Sequence, residues 1–339
     1  MPEQSSARLL GLLVNPTSRR NKRHLDAISQ VAAASAKIHL RITESQAEVS
    51  RSLEEFAAAS VNVLAISGGD GTVSRVLTHL LDEKPFEEMP LIAILPGGTA
   101  NMTAGDIGFR GSVLHTLNRL RDWLENDSGD AQIIRRSILR VQPGDGLASH
   151  YGMFFGAGAI VQGIEYTNAN IHSRGMKNEL SLGLGLVRSM WGIVRQDPRF
   201  IQPTAISVGL DKNAIAPAQS MTLLVVSTLE RLFLNMHPFW AEANGRPLQT
   251  TIVHSPVKRL IRNLPALLRG KPNRHLSSDA GYLSYNLDKI SLSFDGPFTL
   301  DGEIVHARID SGPVEISDGG ELSFLRIQNE RIHGQRSDE

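Results

Sequence analysis

Ser67-Gly68-Gly69-Asp70-Gly71-Thr72 is the stretch whose reading decides the fold. An apolar run, Val61, Val63, Leu64, Ala65 and Ile66, leads into it. A helical pattern leaves it, with Val73, Val76, Leu77, Leu80 and Leu81 at i, i+3, i+4, i+7 and i+8. The reading is strand, glycine-rich turn, helix. Glycine lets the chain turn sharply and lets an anion approach the main chain with no Cβ in the way. Amides at the helix start, with the helix dipole, favour negative charge there. The turn is therefore shaped for phosphate. It is not a P-loop, because no Gly-Lys-Ser/Thr closes it. Asp70 adds a carboxylate where anions gather, and an acid beside phosphate usually implies a Mg²⁺ ion between them. A tight turn with an aspartate helix cap is the competing reading of the same residues.

A second stretch repeats the device. Leu91, Ile92, Ala93, Ile94 and Leu95 read as a buried strand that runs into Pro96-Gly97-Gly98-Thr99-Ala100-Asn101. In a parallel sheet both turns lie at the carboxyl edge, where ligands bind. Gly-Gly-Asp-Gly-Thr, followed about twenty-five residues later by Pro-x-Gly-Thr-x-Asn, resembles the diacylglycerol kinase catalytic domain. That family includes the soluble bacterial lipid kinases and the sphingosine kinases, and it shares its nucleotide fold with NAD kinases.

Composition bounds the rest. A chain of 339 residues predicts one large or two ordinary domains, and 41% hydrophobic residues suffice for real cores. Lys+Arg and Asp+Glu are 35 each, which argues against a protein that coats nucleic acid. With no cysteine there is no disulfide, thiolate metal site or cysteine nucleophile, and a reducing, cytoplasmic setting is expected. The start, Met1-Pro2-Glu3-Gln4, lacks the basic, apolar pattern of a signal peptide. No stretch is long enough to span a bilayer as a helix, so a lipid substrate would be met from the water side.

Along the chain, Leu9 to Val14 reads as a strand ending in Asn15-Pro16-Thr17-Ser18-Arg19-Arg20, a turn with a basic rim. A helix with Leu25, Ile28, Val31, Ala32 and Ser35 on one face follows. Then come a strand through Ile38, Leu40 and Ile42, ending at Thr43, and an alanine-rich helix from Ala47 to Ala59. Strands alternating with helices predict a parallel, doubly wound α/β sheet. Val113, Leu114, Leu117, Leu120, Trp123 and Leu124 give a further helix, and the polar run 125–130 marks a boundary. Beyond it, β-type runs at 133–141, 151–155, 205–208, 221–226 and 290–294 predict a mainly antiparallel second domain. The expected division is 1–130 for a nucleotide-binding domain, 131–318 for a β-sandwich substrate domain, and 319–339 for a segment returning to the first; the sandwich and the return are what the resemblance implies. The eleven histidines form no i, i+4 metal pair.

Two segments could face a membrane. Residues 180–194 are rich in leucine, with Arg188 for charge; a buried helix is the other reading. Residues 257–274 mix Leu260, Ile261, Leu264, Leu267 and Leu268 with Lys258, Arg259, Arg262, Arg269, Lys271 and Arg274, and hold no acid. A basic amphipathic helix of this kind can lie on an anionic surface as a peripheral contact, or be simply a solvated face. Pro265 should kink or split it.

The resemblance implies an ATP- and Mg²⁺-dependent lipid kinase acting on a lipid hydroxyl at a membrane surface. Nucleotide contacts are implied at Asn15, Pro16, Thr17, Thr43, Gly68, Gly69, Gly71, Thr72, Ser74, Arg75, Gly97, Gly98, Thr99 and Asn101. Asp70 would organise Mg²⁺ through the phosphates. The Leu300-Asp301-Gly302-Glu303 turn, which alone reads as a hairpin, would supply the base, Glu303, with Asp301 in support. Two departures stand out. Met102 follows Asn101 where many relatives have an acid, and Ala241-Glu242-Ala243-Asn244-Gly245-Arg246 replaces an Asp-Asp-Gly metal turn, so no structural metal is expected there. An NAD kinase-like enzyme, a long-chain-base kinase and a non-enzymatic lipid-binding module are the alternatives. The oligomeric state stays open.

Overall fold

The computed structural model describes residues 8–126, 130–165, 203–257, 259–271 and 275–328. The expected 180–194 segment lies outside them. The chain divides into two compact units. The first holds the residues up to Thr72, Lys84–Arg135 and those from Leu322 on; the second holds Val73–Glu83 and Arg136–Glu321.

The first unit is α/β. Strands β1 (Leu10–Val14), β2 (Ile38–Ile42), β3 (Val63–Gly68) and β4 (Leu91–Pro96) pair in parallel in the order β4-β3-β1-β2. Helices α1 (Arg19–Ala33) and α2 (Gln46–Ala58) make the first two crossovers, and α3 (Asp70–Asp82) leaves β3. Every residue of β1 and β3 is buried, as expected of parallel strands covered on both faces. On one face Leu10, Leu12, Val14, Val63, Ala65, Ala93 and Leu95 pack with Ile28 and Ala32 of α1 and with Val113, Leu117 and Leu120 of α5 (Val113–Asn126). On the other, the Phe56 ring of α2 lies against Gly11, where a Cβ would come within 2.6 Å of it. Ser45 caps α2 by a reciprocal capping box with Glu48. Strand order reverses between β1 and β3, so the switch point lies at Asn15 and Gly68.

The second unit is antiparallel. One layer runs β14 (Glu303–Ala307), β13 (Gly296–Leu300), β7 (Phe154–Gly158), β9 (Gln219–Ser227), β10 (Leu248–His254) and β11 (Tyr282–Leu287). β8 (Thr204–Leu210) joins β9 to β12 (Lys289–Ser293), which pairs with the start of β15 (Val314–Gln328). β5 (Asp130–Gln142) and β6 (His150–Gly152) complete that side. Phe155, Val226, Phe298 and Leu300 from the first layer share a core with Leu139, Ile290, Leu292 and Ile316 from the second. The Phe155 and Phe298 rings stack at 5.0 Å. Gly156 and Gly158, which imitate a dinucleotide loop in sequence, lie inside β7; a Cβ on Gly156 would press on Ile160 and Thr299.

β15 is longer than its sequence suggests. Its first residues pair with β12, and Phe324 pairs in parallel with Ile92 of β4. Gly320, at φ +104, lies between these two pairings. Pro265 does not split its segment: α6 (Leu260–Leu268) is one helix with Pro265 inside it, on the exposed side. Among the described residues no helix is long and apolar enough to cross a membrane.

Phe298→Ala removes one ring of the stacked pair from a closed core. It should cost about 3–5 kcal/mol of stability, read from the urea midpoint at unchanged slope. A loss below about 1 kcal/mol would show that the core does not depend on that pair.

Candidate active site

Three loops leave the carboxyl ends of β1, β3 and β4. Asn15 begins the first and is buried. Its Oδ1 accepts hydrogen bonds from the Thr17 amide (2.9 Å) and the Thr17 hydroxyl (2.7 Å), which turns the chain at Pro16. Its Nδ2 donates to Thr72 Oγ1 at 2.9 Å, and its amide donates to Ser67 O. Thr43, at the end of β2, is buried beside this turn and donates its amide to Val14 O.

In the second loop only Gly69 separates β3 from α3. A Cβ on Gly68 would meet the Thr72 side chain at 2.5 Å. In the third loop, Asn101 adopts the left-handed conformation (φ 49) and folds back on Gly98, accepting from its amide at 2.8 Å and donating to its carbonyl. A Cβ on Gly98 would run into the Gly69 backbone. The two glycine turns thus meet backbone to backbone. Thr99 is half-buried and Thr17 exposed.

Asp70 ties these turns together. It is 8% exposed, and its two carboxylate oxygens accept from the amides of Met102 (3.1 Å) and Thr103 (2.9 Å), at the start of α4 (Met102–Asp106). Burial pushes the carboxyl above its ordinary value, and the two amides pull it back. Among the described residues no three His, Cys, Asp or Glu side chains gather into a metal cage. A Mg²⁺ ion would therefore find one carboxylate here, Asp70, and would need its other ligands from phosphates and water, as Mg²⁺ commonly does.

Asn21 was not legible as a site residue, yet it is the hub. Fully buried on α1, it donates from Nδ2 to Asn15 O (2.9 Å) and Ser67 O (2.8 Å), and its Oδ1 accepts from the Ser67 hydroxyl (2.8 Å). A Cβ on Gly97 would meet Asn21 Oδ1 at 2.6 Å. The signal was present: Asn21 lies four residues before Leu25, a polar residue on the apolar stripe of α1.

Ser74, Arg75, Asp301 and Glu303 belong to the second unit. The Ser74 hydroxyl donates to Tyr151 O at 2.7 Å. Arg75 Nε pairs with Glu303 Oε1 at 3.0 Å, both side chains reaching solvent. Asp301 is 3% exposed at φ 49, and its oxygens accept from the amides of Met153 and Phe154, each at 3.0 Å. Its own amide donates to Phe154 O, and a Cβ on Gly152 would meet its carboxylate. Asp301 therefore fixes the turn that presents Glu303.

Asn21→Leu keeps the bulk, takes one of two donors from each of the Ser67 and Asn15 carbonyls, and leaves the buried Ser67 hydroxyl without its acceptor. It should cost on the order of 2 kcal/mol or more, measured by urea unfolding. A loss within about 0.5 kcal/mol would remove Asn21 from its place as hub.

Residues 10–130 match the model of the diacylglycerol kinase catalytic domain. A protein from Enterobacter sp. (strain 638) named "Probable lipid kinase YegS-like" is 33% identical over 106 residues, 31% of this chain and 35% of its own. A protein of the same name from Yersinia pestis (strain Pestoides F) is 34% identical over 90 residues, 26% of this chain and 30% of its own. The chain thus spans about a third of the length of the curated relatives it matches. The crystal structure of a diacylglycerol kinase from Bacillus anthracis str. Sterne superposes with a TM-score of 0.58, covering 95% of this chain and 97% of that one at 18% identity. That likeness is one of fold, an α/β unit followed by an antiparallel β unit. Both glycine loops lie inside the segment, residues 10–130, that matches the diacylglycerol kinase catalytic domain.

Proposed function

We propose that the protein is an ATP- and Mg²⁺-dependent lipid kinase that transfers the γ-phosphoryl group to the hydroxyl of diacylglycerol or a related lipid. The observation that supports this most is the joining of two glycine turns by Asp70 at the switch point of a parallel sheet. Phosphoryl transfer needs positioning and charge neutralisation more than covalent help from the protein. In this reading the turns at Gly68, Gly69, Gly71 and Thr72, and at Gly97, Gly98, Thr99 and Asn101, receive the phosphates. Asn15, Pro16, Thr17 and Thr43 line the nucleotide, and Ser74 and Arg75 continue from the loop along α3. Bound Mg²⁺ would neutralise phosphate charge, with Asp70 as its protein partner.

Glu303 is the proposed base. It takes the proton from the lipid hydroxyl as that oxygen bonds to the γ-phosphorus, and the bond to the bridging oxygen breaks to release ADP. Asp301 holds the turn, and Arg75 steadies the Glu303 carboxylate. The first domain, 1–130, would bind nucleotide and the second, 131–318, the lipid. The enzyme would work in the cytoplasm at the inner face of the membrane, touching it through 257–274.

Labelled ATP and Mg²⁺, offered a panel of lipids in mixed micelles beside NAD, should put label into a lipid. Label in NADP alone would move the chain to the NAD kinase branch, and no turnover at all would favour a binding module. Asp70→Ala should lower turnover by about 10²-fold or more.

The two acids of the turn should separate cleanly. Glu303→Gln removes basicity at an exposed position, so kcat should fall about 10²–10⁴-fold with an unchanged melting point and ATP KM. Asp301→Asn leaves one amide facing an NH₂ group, so the melting point itself should drop. If Glu303→Gln turns over normally, the base lies elsewhere.

A further inference from the structure

Helix α6 carries a feature that the glycine loops do not explain. Leu260 and Leu267 are buried in a cluster with Val253, Val257, Leu276 and Tyr282, which anchors one face of the helix. On the opposite face Arg262, Pro265 and Arg269 are exposed at i, i+3 and i+7, with Arg259 and Lys271 exposed at the two ends. No aspartate or glutamate occurs from 257 to 274. The anchored face excludes a free amphipathic helix; what remains outward is basic.

An apolar point stands next to this row. His237 donates its amide to Leu268 O at 2.8 Å, which ties the end of α6 to the loop before it. That loop is closed by the Leu232 amide on Met236 O at 2.7 Å, and its tip is Leu234. Leu234 is 62% exposed at φ 55, and Asn235 follows at φ 61. A left-handed leucine carries a steric strain that glycine would avoid. Here the fold accepts that cost and still leaves the side chain in water. Arg231 is exposed in the same loop, while the neighbouring Glu230 pairs with Arg136 at 3.1 Å. Leu234 and His237 are three positions apart, a reach of at most about 11 Å.

We propose that this face docks on an anionic lipid bilayer, the α6 arginines lying over the headgroups and Leu234 entering the acyl boundary. Positive charge beside one exposed leucine is complementary to a surface with anionic headgroups above an apolar layer. The choice of a bilayer over another polyanion rests on the lipid-kinase reading above.

The test is co-sedimentation of the full chain with phosphatidylcholine vesicles, with and without phosphatidylglycerol, at low and high KCl. The parent should bind the mixed vesicles at low salt and lose them at high salt. R262E/R269E should weaken that binding by at least about tenfold, and Leu234→Ser by about fivefold or more. Lys212→Glu, an exposed basic residue on another loop, should leave it unchanged. The milder R262Q/R269Q pair repeats the test should the charge reversal lower the melting point. Equal binding of parent and R262E/R269E, or of neutral and mixed vesicles, overturns the proposal. So does heparin binding as tight as vesicle binding with no effect of Leu234→Ser, which would make the patch a general anion site. Turnover of a short-chain dispersed lipid reads the kinase assignment separately: it should persist in all these variants, and its absence in the parent would sink that assignment without touching the vesicle result.

Discussion

The Asp70 carboxylate, with one oxygen on the Met102 amide and one on the Thr103 amide, is the constraint on which the first unit's loops depend. Glycine-rich turns have little side-chain surface with which to hold a shape. Here they are held by three things: a buried charge, the backbone contact of Gly69 with Gly98, and the Asn21 hub beneath Gly97. Hydrogen bonds to a charged acceptor are worth about 1.5–3 kcal/mol each, set against a burial cost that already pushes the Asp70 carboxyl up. Removing either amide would leave a buried charge short of a partner. That is why the loops are read as one cradle rather than two turns.

The second unit uses the same device. Asp301, buried and left-handed, takes the Met153 and Phe154 amides as Asp70 takes those of Met102 and Thr103. In both units a buried aspartate joins segments distant in sequence and spends its charge on position. The groups left at the surface differ in kind: Thr17 at the first loop, and Glu303 in its pair with Arg75 at the turn. Division between buried positioning acids and an exposed titratable acid is the pattern that makes Glu303, not Asp301, the proposed base.

Much of the first unit was legible in the sequence because its physics is local. Parallel strands buried on both faces read as unbroken apolar runs, and β3 and β4 each run into a glycine turn. The antiparallel unit was harder. β10, β11, β13 and β14 alternate or carry turn residues, and β15 hides its length behind Asp318-Gly319-Gly320. Asn21 was visible only as a polar residue on an apolar stripe. The donors to Asp70 and Asp301 are backbone amides, which any residue but proline supplies, so no sequence pattern could name them. Pro265 shows the limit of a local rule: a proline that helix bonding disfavours is kept on the exposed face of α6.

Hydrogen–deuterium exchange with and without ATP and Mg²⁺ tests the cradle most directly, because it reads the amides themselves. The account predicts slowed exchange at Gly68–Thr72 and Gly97–Thr103 together, with the core of β9 and β10 unchanged. Exchange that stays the same at both glycine loops under saturating nucleotide, or slows only elsewhere, would contradict it.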